Sequence, residues 1–283
     1  MEVAGFDVLL VTCAPLPDGE DGGTLLRDAL AARGVPSRWV AWDDPSVAWA
    51  EAPLVAVRSP WDYVGRLGEF LAWAHQVGSA TRLVNPAPVR EWNTDKAYLL
   101  DLAASGLPVV PTRTARTTEE LEQAVGLWGT TVVKPRVGAS GQGVAVAEAG
   151  APLPAPEPGP WVVQPLVGSI HDEGEISVFV LGGRVRSAVR KLPGAGEIRV
   201  HEEYGGRTVP VPVGSAEAEL AGSAVRAAEQ LFSAELPYAR VDLMRWEGSL
   251  VVSELEVTES GLYLDVLPDN ADAFAETVAG LLG

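Results

Sequence analysis

The most restrictive stretch of this 283-residue sequence lies near its C-terminus. There Val241-Asp242-Leu243-Met244 and Val251-Val252-Ser253-Glu254-Leu255-Glu256 flank a Glu247-Gly248 turn. Two such runs around a two-residue turn predict an antiparallel hairpin through Trp246 to Leu250. Side chains alternate along a strand, so Glu254 and Glu256 share a face, while Val252, Ser253 and Leu255 are assigned to the apolar side. With Asp242 on the partner strand, three carboxylates converge on one patch. Like charges at that spacing repel unless a hard cation sits between them. A hairpin with a solvated acidic face is the plainer alternative, and the upstream sequence decides between the two.

Upstream, Val132-Val133-Lys134-Pro135-Arg136-Val137-Gly138-Ala139-Ser140-Gly141-Gln142-Gly143 carries a lysine from a strand end into a glycine-rich loop. A second apolar run, Val144 to Val146, follows. Lacking Cβ, glycine lets backbone N–H groups approach phosphate oxygens, and the lysine adds a compact positive charge. The lysine precedes the glycines and no Gly-Lys-Ser/Thr follows, so this is not a Walker loop. A glycine-rich hairpin alone says little. Beside a carboxylate cluster, it implies phosphate on one side and metal on the other.

The N-terminal part alternates in a different way. Phe6 to Thr12 reads as a buried strand, Thr24 to Arg33 as an amphipathic helix closed by Gly34, and Arg38 to Trp42 and Leu54 to Val57 as further strands. Leu67 to Val77 reads as a helix with Leu67, Phe70, Leu71 and Ala74 on one face. This βαβ-like order predicts a small parallel sheet with its ligand edge at the strand C-termini. At that edge stands Arg58-Ser59-Pro60-Trp61-Asp62-Tyr63. A guanidinium followed by a proline turn and two aromatics suits a substrate carboxylate. It equally suits a domain-packing corner, with Arg58 paired to an acidic residue and Trp61 buried.

The formal charge of −17 argues against a nucleic-acid or anionic-membrane partner, because phosphate backbones demand basic surfaces. No signal-peptide pattern and no apolar stretch of membrane-spanning length is visible, which predicts a cytoplasmic protein. The single cysteine, Cys13, excludes an intrachain disulfide and has no basic neighbour to activate it. His75, His171 and His201 have no metal-ligand spacing. Thr117-Thr118-Glu119-Glu120 is a capping box for a helix to Leu127. Gly150 to Pro160, rich in Ala, Pro and Gly, reads as a connector between strands.

Taken in order from about Asn85 to Asp265, these blocks resemble the ATP-grasp superfamily. The likeness is to its carboxylate–amine ligase branch, with glutathione synthetase, ribosomal protein glutamate ligases and D-alanine:D-alanine ligase. Asn93-Thr94-Asp95-Lys96 is similar to the block with the first nucleotide lysine, and Lys134 with Ser140, Gly141, Gln142 and Gly143 to the second. Trp161 to Val167 resembles the strand whose backbone reads adenine, which implies contacts from Gln164, Pro165, Leu166 and Val167. Glu175 stands where relatives place the ribose acid, with Glu173 as the alternative. Asp242, Glu254 and Glu256 fall on the magnesium positions, Glu256 standing where many relatives have Asn. Arg190, then Arg199 and Gly205-Gly206, resemble the acceptor and phosphate arm of the ribosomal glutamate ligases. That likeness implies Arg199, with Lys134 and Arg190, as the catalytic cations. Arg58 to Tyr63, with Pro60 in place of Thr, and Trp92 to Leu99 further resemble the D-cycloserine-forming ligase subgroup.

The resemblance implies an α/β (α+β) ATP-grasp fold. Its expected parts are a substrate domain over 1–90 with a small parallel sheet, a central lobe over 91–168 with the phosphate loop, and a C-terminal lobe over 169–283 with the magnesium site. It implies ATP and Mg²⁺, Mn²⁺ being an admissible substitute. It implies an amino-acid-like small molecule contacted by Arg58, Ser59, Trp61, Asp62 and Tyr63, without nucleic acid or membrane, and is compatible with a homo-oligomer. The implied reaction forms an amide from a small carboxylate through an acyl phosphate, between molecules or by cyclisation, in specialised antibiotic biosynthesis. A small-molecule kinase of the same fold and a non-catalytic ATP-binding module are the alternatives. The latter would be marked by a missing lysine or metal carboxylate, and none is missing.

Overall fold

The computed structural model describes residues 5–154 and 159–283. The middle of the 150–160 connector, residues 155–158, lies outside the described residues. The first sheet is parallel, in the order β2-β1-β3-β4, from β1 (Val8–Thr12), β2 (Ser37–Ala41), β3 (Leu54–Ser59) and β4 (Arg82–Val84). All residues of β1 and β3 are buried, and residues 8–11 and 54–57 accordingly read as continuous apolar runs. One face is covered by α2 (Leu67–Ala80), where Phe70 stacks on Tyr63 and Trp73 and meets Trp42 edge-on. The other face carries α1 (Gly23–Ala31) and the last helix of the chain.

Two short helices, α3 (Ala87–Asn93) and α4 (Tyr98–Ala104), lead to the second sheet. It is antiparallel, in the order β5-β8-β6-β7, from β5 (Arg113–Ala115), β6 (Thr130–Pro135), β7 (Ala145–Glu148) and β8 (Trp161–Pro165). The helix α5 (Thr118–Val125) packs beside it, with Thr117 Oγ1 accepting the Glu120 N–H as the capping box requires. The β6–β7 hairpin carries the glycine loop. Its turn puts Gly141 and Gly143 at φ 68° and 69°, a conformation that glycine adopts without strain.

After α6 (Ser169–Asp172) comes a five-stranded antiparallel sheet in the order β11-β10-β9-β12-β13. Its strands are β9 (Glu175–Leu181), β10 (Arg184–Leu192), β11 (Arg207–Val211), β12 (Tyr238–Trp246) and β13 (Ser249–Glu256), with α7 (Ser215–Phe232) across one face. Asp242 lies opposite Glu254, but Leu243 lies opposite Val252, so Ser253 is an extra residue in a β-bulge. The bulge keeps Val252 on the α7 side with Leu255 and Val257. It also turns Ser253 to the other face, where its hydroxyl donates to Glu175 at 2.9 Å. Ser253 is thus a polar-face residue, a correction that simple alternation misses. Finally α8 (Asp269–Leu282) returns to the first sheet, and Phe274, Ala275 and Val278 share a core with Val8, Leu10, Phe179 and Tyr238. No described helix is long and apolar enough to cross a membrane.

Candidate active site

A cavity of roughly 470 Å³ lies between the glycine loop, the end of β8, the polar faces of β12 and β13, and the edge of the first sheet. One carboxylate oxygen each of Asp242, Glu254 and Glu256 lies within 4.8 Å of the others. The partner strand and the bulge described above bring them together. Asp242, 1% exposed, accepts bonds from both forks of Arg240 at 2.9 Å and from Lys191 Nζ at 3.0 Å. Lys191 also pairs with Glu175 at 2.6 Å, Arg240 reaches on to Glu256, and Lys96 pairs with Glu254.

The charges of this network do not cancel evenly. Burial alone would raise the Asp242 carboxyl, but Arg240 and Lys191 outweigh it and hold it below the ordinary carboxylate range. For Glu256 burial, with Glu254 and Asp242 alongside, outweighs the Arg240 pairing and pushes the carboxyl up to about 8. Burial likewise lowers Lys134, which stands at the end of β6 and lines the cavity. A donor set made only of carboxylate oxygens fits a hard divalent cation once Glu256 has given up its proton.

A measurable consequence concerns protons. At pH 7 Glu256 is largely protonated, because its raised value of about 8 lies above that pH, and a cation there must displace the proton. Calorimetry of Mg²⁺–nucleotide binding at pH 7 in buffers of different ionisation enthalpy should register up to about one proton released per site. The release should vanish near pH 9.5 and in Glu256→Gln. The sign for stability is the same. With its carboxyl above the unfolded value, Glu256 contributes stability to the metal-free protein below about pH 4.5 that is lost as pH rises through about 8.

The other candidate residues divide by placement. Ser140, Gly141 and Gln142 line the cavity, and Gly143 completes their turn. Gln164, Pro165, Leu166 and Val167 line it too, Gln164 being fixed by a bond to Thr112 Oγ1 at 3.0 Å. Glu175 faces inward, whereas Glu173 is at the surface, 3.1 Å from Arg245. Arg199 lines the cavity, pairs with Glu197 at 2.5 Å and lies over the Tyr204 ring. A Cβ on Gly141 would come within 3.3 Å of the Arg199 side chain, so the arm and the loop touch. Arg190 does not line the cavity. Strand alternation puts it on the α7 side with Ala188 and sends its neighbour Lys191 inward.

The block Asn93 to Tyr98 is largely scaffolding. Asn93 donates to Leu255 O at 2.7 Å, Tyr98 OH accepts the Leu255 N–H at 2.8 Å, and Asp95 holds Arg136 beside the glycine loop.

The segment from Arg58 to Tyr63 splits, which corrects the expectation that all of it meets substrate. Arg58 is fully buried, bound to Glu20 at 2.7 Å and to Ser260 O at 2.7 Å, with the Tyr238 and Phe274 rings 5.3 and 4.8 Å away. Along β3 it follows Leu54 and Ala56 toward the core shared with α8, so it is a packing corner. Ser59 bonds Thr12 at 2.9 Å and Asp62 accepts from Trp42 at 2.8 Å, both outside the cavity lining. Trp61 and Tyr63 reach the cavity. Sequence reasoning passed over Lys191, Arg240 and Glu259. Arg240 was legible, two residues from Asp242 on the same face. Lys191 required the pairing of β10 with β9, where it lies opposite Glu175.

Residues 8–85 match the family model described as the N-terminal domain of D-cycloserine synthetase DcsG. Across 97% of its length the chain is 30% identical to the cycloserine biosynthesis protein DcsG of Streptomyces lavendulae, covering 98% of that protein. The crystal structure of D-cycloserine synthetase DcsG is similar at a TM-score of 0.84 and 28% identity, over 98% of this chain and 99% of that one. The ATP-grasp ligase PsnB, solved with a phosphomimetic variant of its minimal precursor, Mg and ADP, shares the fold at a TM-score of 0.70 and 16% identity. That match covers 98% of this chain and 99% of PsnB.

Proposed function

Because the chain belongs to the DcsG family of ATP-grasp ligases, we propose that it closes a ring of the D-cycloserine kind by joining the carboxylate and an amine nitrogen of one amino-acid derivative. The observation that carries this reading is a single cavity bounded by the phosphate loop, the three-carboxylate cluster and the Trp61–Tyr63 wall. It has room for a nucleotide phosphate, a cation and a small acid side by side.

A carboxylate is a poor acyl donor because its oxygen leaves badly. Its attack on the γ-phosphorus of ATP forms an acyl phosphate and releases ADP. The amine lone pair then attacks the carbonyl carbon, phosphate departs with the C–O electron pair, and the nitrogen loses a proton. Mg²⁺, held by Asp242, Glu254 and Glu256, would supply charge neutralisation for the phosphate oxygens. Lys134 would hold the phosphates under the glycine loop. Lys96, paired with Glu254, would turn to the phosphates when that carboxylate serves as a ligand. Lys191 and Arg240 keep Asp242 charged and fixed, and Arg199 faces the transferred group from the arm that touches Gly141. A glycine loop closed over the site keeps water from the acyl phosphate.

Opening the ring amide of D-cycloserine by water gives β-aminooxy-D-alanine, so that acid is the first substrate to test. ADP release should be measured across it and a panel of amino acids and amino-acid pairs, with mass detection of products. The proposal expects ADP release with a product lighter than the acid by one water. A phosphorylated acid that accumulates in place of the amide would mark a kinase. Lys134→Ala should weaken ATP binding by about 1.5–3 kcal/mol, the worth of one charged hydrogen bond. Nucleotide titration checks this, and an unchanged affinity would remove Lys134 from the phosphate site.

A further inference from the structure

After β13 the chain runs from Val257 to Leu262 without regular secondary structure, yet side chains from elsewhere hold its backbone almost residue by residue. Asn93 Oδ1 accepts the Val257 N–H at 2.9 Å, and Asn85 donates to Val257 O at 2.7 Å. Arg90 donates to Thr258 O, Trp61 Nε1 to Glu259 O at 3.1 Å, and Arg58 to Ser260 O at 2.7 Å. Glu20 Oε2 accepts the Leu262 N–H at 2.6 Å, and Asn270 donates to Leu262 O at 2.8 Å. Buried backbone groups must be paired somewhere, and here side chains supply the pairing that a strand ladder would give.

This locked segment presents one charged side chain, Glu259, to the cavity. Its Oε1 accepts the Tyr63 hydroxyl at 2.8 Å, and among the described residues no cation forms an ion pair with it. The nearby Glu20 is unavailable, since Arg58 takes one of its oxygens and the Leu262 N–H the other. Asp21 and Asp265 stand exposed at the rim. Trp61, 37% exposed on the same wall, offers an aromatic face of the kind that attracts cations. A half-buried carboxylate with a free oxygen, beside an aromatic face, is complementary to an ammonium group. In an α-amino acid the ammonium and the carboxylate are borne by one carbon. A site that turns the carboxylate toward the phosphates must therefore meet the ammonium close by, and Glu259 follows the cluster member Glu256 by three positions.

We propose that Glu259 is the specificity-determining residue that binds the protonated α-amino group of the substrate, with Tyr63 as its positioning residue. The proposal rests on the reading of the substrate as an amino-acid derivative. It excludes the cluster Asp242, Glu254 and Glu256 from that task, because those oxygens serve the cation.

The test is calorimetric titration of the protein loaded with Mg²⁺ and a non-hydrolysable ATP analogue. The two probes are β-aminooxy-D-alanine and 3-aminooxypropanoic acid, which is the same acid without its α-amino group. The wild type should favour the amine-bearing acid by about tenfold or more, as one charge-assisted hydrogen bond warrants. Glu259→Gln keeps an acceptor for Tyr63 and removes the charge, so it should bind the two acids alike with unchanged nucleotide affinity and melting temperature. Glu259→Asp and Tyr63→Phe should retain part of the preference. Equal affinities in the wild type, or an undiminished preference in Glu259→Gln, would overturn the proposal. Titration requires no turnover. Preferential binding in this titration, with no ADP released from ATP in the separate turnover assay, would therefore sink the cyclisation reading and leave the amine site standing.

Discussion

Arg58→Ala should lower the melting temperature sharply and take activity down with the fold, leaving nucleotide and substrate affinity of the folded fraction intact. The substitution strips a buried charge from Glu20, 5% exposed, and frees Ser260 O from its anchor. It also empties the space beside the Tyr238 and Phe274 rings. Breaking a buried ion pair from one side costs about 3–5 kcal/mol, which in a chain of this size is on the order of 10 °C. Arg58→Lys should be intermediate, because lysine restores charge without the planar fork that serves Glu20 and Ser260 together. Thermal melts beside separate nucleotide and acid titrations check this. A wild-type melting curve with a selectively weakened acid would return Arg58 to the substrate site.

The cluster carboxylates should part company in stability while agreeing in activity. Asp242→Asn and Glu254→Gln each remove a charged ligand from the cation site, and either should reduce ADP formation by about a thousandfold or more in saturating Mg²⁺. Asp242 is buried against Lys191 and Arg240, so its neutralisation leaves two enclosed cations facing each other and should cost about 3–5 kcal/mol. Glu254 pairs with Lys96 in the cavity, its side chain 28% exposed, so its neutralisation should cost about 1 kcal/mol or less. Melts of both variants and their ADP yields read the two effects separately. Near-normal ADP formation in either would dissolve the assignment of the cluster to a catalytic cation.

Much of the fold was legible because its signals are local. Strands of a buried parallel sheet carry near-continuous apolar runs, so β1 and β3 announce themselves through residues 8–11 and 54–57, and the Glu247-Gly248 turn announces β12 and β13. The glycine loop and the acidic hairpin marked a phosphate and a metal site, and the ligase class followed from the resemblance of these and the neighbouring blocks to the ATP-grasp superfamily. What escaped is non-local. One extra residue at Ser253 reverses the facing of its strand, and no periodicity marks where a bulge falls. The direction of Arg58 depends on α8, more than two hundred residues later in the chain, closing over that face of the first sheet. Arg190 and Lys191 are adjacent basic residues, and only the pairing with β9 decides which enters the cavity. The role of Val257 to Leu262 is written in side chains as distant as Glu20 and Asn85, each ordinary by itself.

The central claim is that ATP activates the substrate carboxylate as an acyl phosphate before the amide forms. It is tested most directly by oxygen transfer. β-Aminooxy-D-alanine carrying ¹⁸O in both carboxylate oxygens is incubated with the protein, ATP and Mg²⁺, and the inorganic phosphate is analysed by mass spectrometry. The account predicts one labelled oxygen in each phosphate released and one retained in the ring carbonyl. ADP and amide formed with unlabelled phosphate would contradict it.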